Sequence, residues 1–107
     1  MLTESTKTLP EFLSGPTSRP LKICMVRTPT LTSVGAVGQD AVPPIGPAYI
    51  TGSLVVAGHD VSAVDAVGEC LEQYTRLPGY DNVLVHGLTG DEIVDRIPSD
   101  VDVIAIS

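Results

Sequence analysis

Tryptophan is absent from this chain of 107 residues, and phenylalanine occurs once. Any core must therefore be aliphatic, built from Val, Ala, Leu and Ile, as parallel sheets covered on both faces usually are. Aromatic platforms for stacking bases are equally scarce. Positive charge is the next shortage. Six Lys and Arg face thirteen Asp and Glu, giving a formal charge of −7. No two of Lys7, Arg19, Lys22, Arg27, Arg76 and Arg96 are adjacent. A polyanion would meet net repulsion and no basic cluster to release its counterions, so nucleic acid is not an expected partner.

Two cysteines are too few for a disulfide framework or a four-thiolate metal site. Cys24 reads as a small buried hydrophobe inside a strand, and Cys70, after Gly68-Glu69, as a packing or surface thiol. No apolar run approaches the ~20 residues of a spanning helix. Met1 to Leu13 carries polar residues throughout, unlike a secretory signal. The expected setting is cytoplasmic and reducing, with no membrane partner.

What the chain does have is aliphatic content: hydrophobic residues make up 43%, enough for a core. It is unevenly placed. Residues 1–20, with Pro10, Gly15, Pro16 and Pro20 among many Ser and Thr, read as a flexible leader. The folded part is expected over 21–107. Leu21 to Val26 (LKICMV) has the length and continuity of a strand buried on both faces, ended by Arg27-Thr28-Pro29. Thr30 to Pro44 reads as one long loop, a length usually functional or disordered. A helix is predicted from near Gly46-Pro47, with proline in the first turn where its missing N–H costs nothing. Ile50, Leu54 and Ala57 would form its inward face, widened by Val55, and Gly58 would stop it.

A second strand is expected over Val61 to Val67, then an irregular excursion over Gly68 to Asn82, which holds Pro78-Gly79. Thr89-Gly90-Asp91-Glu92 has the form of a capping box. It opens a short helix with Ile93, Val94 and Ile97 inward, terminated by Pro98. Val101 to Ile106 (VDVIAI) is the third expected strand. An ending on a strand at Ser107, with no closing helix, suggests an incomplete domain.

These elements predict an α/β, three-layer αβα, Rossmann-like (flavodoxin-like) parallel sheet. Right-handed crossovers give strand order 2-1-3, with helices on opposite faces and 3-2-1 as the competitor. The order reverses between strands one and three, and ligands bind outside the carboxyl ends at such a switch point. Thr28 and Pro29 on one side and Ser107 on the other would line that crevice, with the Pro43–Gly46 loop overhanging it.

Other motifs carry less. Gly35-Ala36-Val37-Gly38 lies too far from Val26 and lacks the third glycine of a dinucleotide fingerprint, and no P-loop Gly-Lys-Ser or Gly-Lys-Thr occurs. His59 and His86 have no metal-ligand spacing; His59 reads as a boundary residue and His86 as a loop or surface residue. No metal ligands are assigned. No G-x-S-x-G elbow is present, and no catalytic residue is assigned. Asp65 could bond a ribose hydroxyl, but a solvated strand end is the simpler reading. Tyr49 could pack on a ligand or merely on the loop.

Several of these pieces, taken in order, resemble a known family. They are Pro43-Pro44-Ile45-Gly46 with Ala48-Tyr49-Ile50, Leu54 with Gly58-His59-Asp60-Val61, and Asp65. Gly87-Leu88-Thr89 with Glu92-Ile93-Val94 follows, then Val101 to Ser107. From Lys22 to Ser107 the chain resembles the N-terminal cobalamin-binding domain of cobalamin-dependent radical S-adenosylmethionine proteins. The resemblance implies a doubly wound five-stranded parallel sheet with cobalamin across the carboxyl ends of its strands. It implies that Pro44, Ile45, Gly46 and Tyr49 line the corrin side, and that Ser107 starts the loop receiving the nucleotide tail.

Two departures matter. The D-x-H-x-x-G motif is absent, so no histidine lower ligand is expected from this segment. The C-x-x-x-C-x-x-C motif is absent too, which assigns S-adenosylmethionine and the 4Fe-4S cluster to a downstream domain of the parent enzyme. The fourth and fifth strands are not in the sequence. The expectation is thus a cobalamin-binding fragment, not itself an enzyme, whose parent performs methyl transfer or a related radical reaction. A non-catalytic α/β interaction module, or the nucleotide- or sugar-binding half of a transferase, is the alternative. An exposed edge on the third strand would also invite self-association.

Overall fold

The computed structural model describes residues 19–36 and 42–107. The leader, apart from Arg19 and Pro20, and the loop glycine Gly38 lie outside the described residues.

The first strand, β1 (Lys22–Arg27), is the centre of the molecule. Its apolar run reads as a doubly covered strand, and Ile23, Cys24, Met25 and Val26 are all buried. β2 (Thr30–Ser33) follows at once. Next come helix α1 (Ile45–Val56) and strand β3 (Asp60–Asp65). Strands β4 (Tyr74–Arg76) and β5 (Val83–His86) form a hairpin, followed by helix α2 (Gly90–Arg96) and strand β6 (Val103–Ile106).

One sheet is parallel, in the order β3-β1-β6, with Lys22 to Arg27 paired in register to Asp60 to Asp65 and Ile23 to Val26 paired to Val103 to Ile106. The three apolar runs seen in the sequence thus share one sheet with the first of them central. The expected order 2-1-3 is nevertheless not matched as written. Three further strands interrupt the numbering and form a second, antiparallel sheet, β2-β5-β4.

That second sheet corrects two readings. Thr30 to Pro44 is not all loop, and Gly68 to Asn82 is not all irregular. The reason is physical. β2 is four residues long and β4 only three, too short for a periodic signal, and β2 finds its partner in β5, about fifty residues on. Pro78-Gly79 serves as the hairpin tip, with Gly79 at φ 85° and the Tyr80 N–H donating to the Leu77 carbonyl at 3.1 Å.

Side chains alternate across the parallel sheet. Cys24, Val26 and Val64 share one face and form the core cluster with Ala66 and Leu88; Ile93 and Ile97 of α2 pack against it. Met25 and Ala63 share the other face, under Ala48 and Thr51 of α1. The helices therefore cover opposite faces, and among the described residues the buried hydrophobic core holds no Phe, Tyr or Trp.

α1 ends in a Schellman arrangement: Gly58 (φ 96°) donates to the Val55 carbonyl and His59 to the Leu54 carbonyl. Its inward face differs from the expected one. Pro47, Thr51 and Leu54 are the half-buried positions, while Ile50 is 52% exposed and Ala57 is exposed as well. Pro47 in the first turn is on the sheet-facing side and lines the space beneath the helix; Ile50 falls on the flank of that inward stripe. α2 begins as expected. Thr89 Oγ1 accepts from the Glu92 N–H at 3.3 Å, and the Glu92 carboxylate accepts from the Thr89 N–H at 3.1 Å. Val94, expected inward, is 66% exposed, because a helix this short turns only Ile93 and Ile97 onto the core.

Among the described residues, no helix is long and apolar enough to cross a membrane.

Candidate functional site

The carboxyl ends of β1, β3 and β6 lie together at one end of the parallel sheet, and β2 departs from there after Pro29. Thr28 and Ser107 meet at this end: the Thr28 N–H and Oγ1–H both donate to the Ser107 carbonyl, each at 3.1 Å. Ser107 in turn donates its N–H to the Val26 carbonyl at 2.9 Å. The ends of β1 and β6 therefore stay paired one residue beyond the strands.

On the other side of β1 the ends are joined by charge. Arg27 Nη1 donates to the Asp65 carboxylate at 3.2 and 3.4 Å, and Arg27 Nη2 donates to the Val42 carbonyl at 2.7 Å. Asp65 Oδ1 also accepts from the N–H groups of Val67 (3.2 Å) and Gly68 (2.9 Å). Asp65 is consequently not a free, solvated strand end. It stops β3 by turning the chain, and its ion pair ties the turn to Arg27, which in turn holds the segment leading into α1.

Beneath α1 this arrangement leaves a cleft of about 390 Å³, lined by Met25, Arg27, Pro44, Thr51, Ala63 and Asp65 among others. Its walls are predominantly apolar, with the Arg27–Asp65 pair at the strand ends, the general composition of small-molecule sites. Gly46 stands in the first turn of α1 with no atom within 4 Å of where a Cβ would be. The helix carries no charged residue.

The seven residues singled out from sequence fall into two groups. Thr28 and Ser107 bond to one another at the strand ends, Pro29 follows directly, and Pro44 forms a wall of the cleft. Ile45 and Tyr49 lie on the outer stripe of α1 with Gly52 and Val56; Tyr49 is 76% exposed. Gly46 is exposed between these two settings. Sequence reasoning missed Arg27, Thr51 and Ala63. The available signal was an arginine closing the apolar run Ile23–Val26, and nothing local linked it to Asp65.

Both histidines are engaged elsewhere. His59 Nδ1 accepts the Leu21 N–H at 3.1 Å at the amino end of the sheet. His86 is not the surface residue expected: it ends β5, is 4% exposed, and stacks on Tyr74 with ring centroids 4.4 Å apart. Its Nε2 lies 2.7 Å from the Leu71 carbonyl, an acceptor only, so Nε2 carries the proton. Among the described residues, no group of three or more His, Cys, Asp and Glu could hold a metal ion.

The displaced ionisations lie away from the cleft. At the amino end of the sheet, the hydrogen bond and charge of Lys22 hold the Asp100 carboxyl below its usual range, and Lys22 itself is raised. Asp102 is lowered by the Lys22 N–H and by Arg19. Glu92 is lowered by hydrogen bonds from Gln73 and Thr89.

Fold and site together define a mixed α/β protein with a parallel sheet whose carboxyl ends border an apolar cleft under a neutral helix. No protein-family model, no curated protein and no solved structure significantly matches the chain.

Proposed function

We propose that this chain is a flavodoxin-like cobalamin-binding segment of a radical S-adenosylmethionine enzyme that performs methyl transfer or a related radical reaction. The observation that carries the reading is the pairing of an ordered set of motifs with the geometry at the strand ends. Pro43 to Gly46, the most characteristic piece, is held beside the carboxyl end of β1 by the Arg27 bond to the Val42 carbonyl.

The residues present suit a large, neutral, flat ring. Gly46 leaves open space at the start of α1, no charge intrudes along the helix, and Pro44 offers a rigid apolar wall beside it. Thr28, Pro29 and Ser107 would border the same end, while Ile45 and Tyr49 would present the outer part of the shelf. When bound, cobalamin supplies the organometallic chemistry, and the protein supplies orientation and exclusion of water. His59 accepts from the Leu21 N–H and His86 is enclosed, in keeping with a cobalamin that would take no histidine ligand from this segment.

The iron–sulfur cluster does not fit this chain. It needs three thiolates, and only a buried Cys24 and a half-buried Cys70 exist. Cleavage of S-adenosylmethionine is therefore assigned to another part of the parent enzyme.

Titration with hydroxocobalamin, followed by absorbance, tests the reading. A saturable spectral change is expected, with affinity of about micromolar order. Gly46→Leu should abolish it with little change in melting temperature, because a Cβ at Gly46 projects into open space. His59→Ala and His86→Ala should leave the bound spectrum unchanged. No spectral change at cobalamin concentrations approaching ~1 mM would overturn the reading.

A further inference from the structure

Among the described residues, Arg27 is the one cation lining the cleft beneath α1, and Asp65 is the one anion. Their side chains are 18% and 30% exposed, largely withdrawn from water yet within reach of a ligand. A guanidinium carries five N–H donors in a planar fork and has nothing to accept with. Nη1 serves the Asp65 carboxylate, and Nη2 serves the Val42 carbonyl. No described residue takes the Nε–H or the second hydrogen of Nη2. Asp65, by contrast, is committed: its Oδ1 accepts from the Val67 and Gly68 N–H groups as well as from Arg27. This end of the cleft therefore offers donors and, with its two charges cancelling, no net charge.

The geometry points to Arg27 as the group that reads the ligand, donating to the carbonyl oxygen of a neutral carboxamide in preference to a carboxylate. Fixed donors in a predominantly apolar cleft favour a ligand that can accept from them and reject an analogue that cannot. A carboxylate could accept too, but it would sit beside the Asp65 carboxylate in a chain of net charge −7. Two like charges sharing a site disfavour one another. A carboxylate would also compete for the guanidinium that holds the Asp65 turn and the segment entering α1. A neutral amide takes the open hydrogens and leaves those bonds in place. Met25, Pro44 and Ala63 then face its apolar body. The carrier of the amide rests on the cobalamin reading: there it is one of the carboxamide arms on the rim of the corrin ring.

Propionamide and propionate, similar in size and different in charge, are the probes. Each is titrated into the isotopically labelled whole chain at neutral pH and followed by NMR. Propionamide is expected to shift the Arg27 Nε–H and the Thr51 and Ala63 backbone N–H signals. It should bind more tightly than propionate by roughly fivefold or more. Arg27→Met should abolish the shifts at Thr51 and Ala63. Asp65→Asn keeps an oxygen for the Val67 and Gly68 N–H groups but leaves Arg27 uncompensated, and should reverse the order in favour of propionate. If Arg27→Met loses its dispersed spectrum, Asp65→Asn decides alone.

Propionate bound as tightly as propionamide by the unaltered chain would overturn the proposal, and so would the absence of any propionamide shift at Arg27. Shifts that survive in folded Arg27→Met, or an amide preference unchanged in Asp65→Asn, would do the same. Hydroxocobalamin separates this inference from the family reading. An amide preference in a chain that binds no cobalamin supports the role of Arg27 and removes only the corrin as carrier. Cobalamin bound equally by the unaltered chain and by folded Arg27→Met overturns that role and leaves the family reading standing.

Discussion

Gly87 joins the two sheets where the backbone of Ala66 leaves no room for a side chain. Its φ of 115° is a conformation that side chains rarely adopt, and a Cβ there would run into the Ala66 carbonyl. That closeness lets the Leu88 N–H donate to the Ala66 carbonyl at 2.7 Å and brings Leu88, fully buried, into the core. Gln73 fixes the other side, receiving the Gly87 N–H on its carbonyl and donating its amide to the Gly87 carbonyl. Gly87→Ala should therefore lower stability by about 1–3 kcal/mol, the usual cost of local backbone strain. Chemical denaturation would measure it, and a change within about 0.5 kcal/mol, the range of ordinary surface substitutions, would show that the junction relaxes freely. From the sequence, Gly87 reads only as part of a Gly-Leu-Thr motif. The demand on it comes from Ala66, twenty-one residues earlier, and no local pattern encodes that approach.

Elements whose determinants are local were legible, and those built by distant pairing were not. The capping box of α2 lies within four consecutive residues, and both of its reciprocal bonds are present. The Gly58 stop of α1 and the doubly buried β1 are equally local. The second sheet needed β2 to meet β5 across the chain, and was missed. At the candidate site the same division holds. Backbone placement was readable, so Thr28, Pro29, Ser107 and Pro44 do lie by the strand ends. Side-chain direction was not, because which face of α1 turns to the sheet is set by the tertiary placement of the helix, with Pro47, Thr51 and Leu54 inward. Losing the cap tests how much α2 relies on local order. Thr89→Ala removes the acceptor of the Glu92 N–H and should cost about 1 kcal/mol. Since α2 carries Ile93 and Ile97 onto the core, the loss should appear in the global melt. Unchanged denaturation of Thr89→Ala would mean that Gln73 and its neighbours hold the helix start without the cap.

Across the whole molecule, a four-residue charge cluster holds the amino end of the parallel sheet, while the carboxyl end carries the Arg27–Asp65 pair beside an apolar cleft. The cleft under α1 is apolar, while Arg19, Lys22, Asp100 and Asp102 interlock at the amino end of the sheet. The groups with displaced ionisation set the dependence of stability on pH. Asp100, Asp102 and Glu92 have folded-state values below their unfolded ones. Their contribution is present above the usual carboxylate range and is lost as pH falls through the depressed folded values. Lys22 is raised, so its contribution is complete below the ordinary lysine value of 10.5 and is lost as pH rises beyond it. Stability should thus be level, as far as these groups govern it, between the two ranges and should fall on both sides. Lys22, Asp100 and Asp102 are exposed and Glu92 is half-buried, so the falls should be shallow and should flatten further in high salt, as screened surface pairs do. Melting temperatures measured from acid to alkaline pH, at low and high salt, give the check. Asp100→Asn should reduce most of the alkaline fall, by taking away the main partner that raises Lys22 and leaving the smaller effects of Asp60 and Asp102, and should reduce the acid one only in part. An alkaline fall that persists unchanged in Asp100→Asn would show that the amino-end cluster does not govern it.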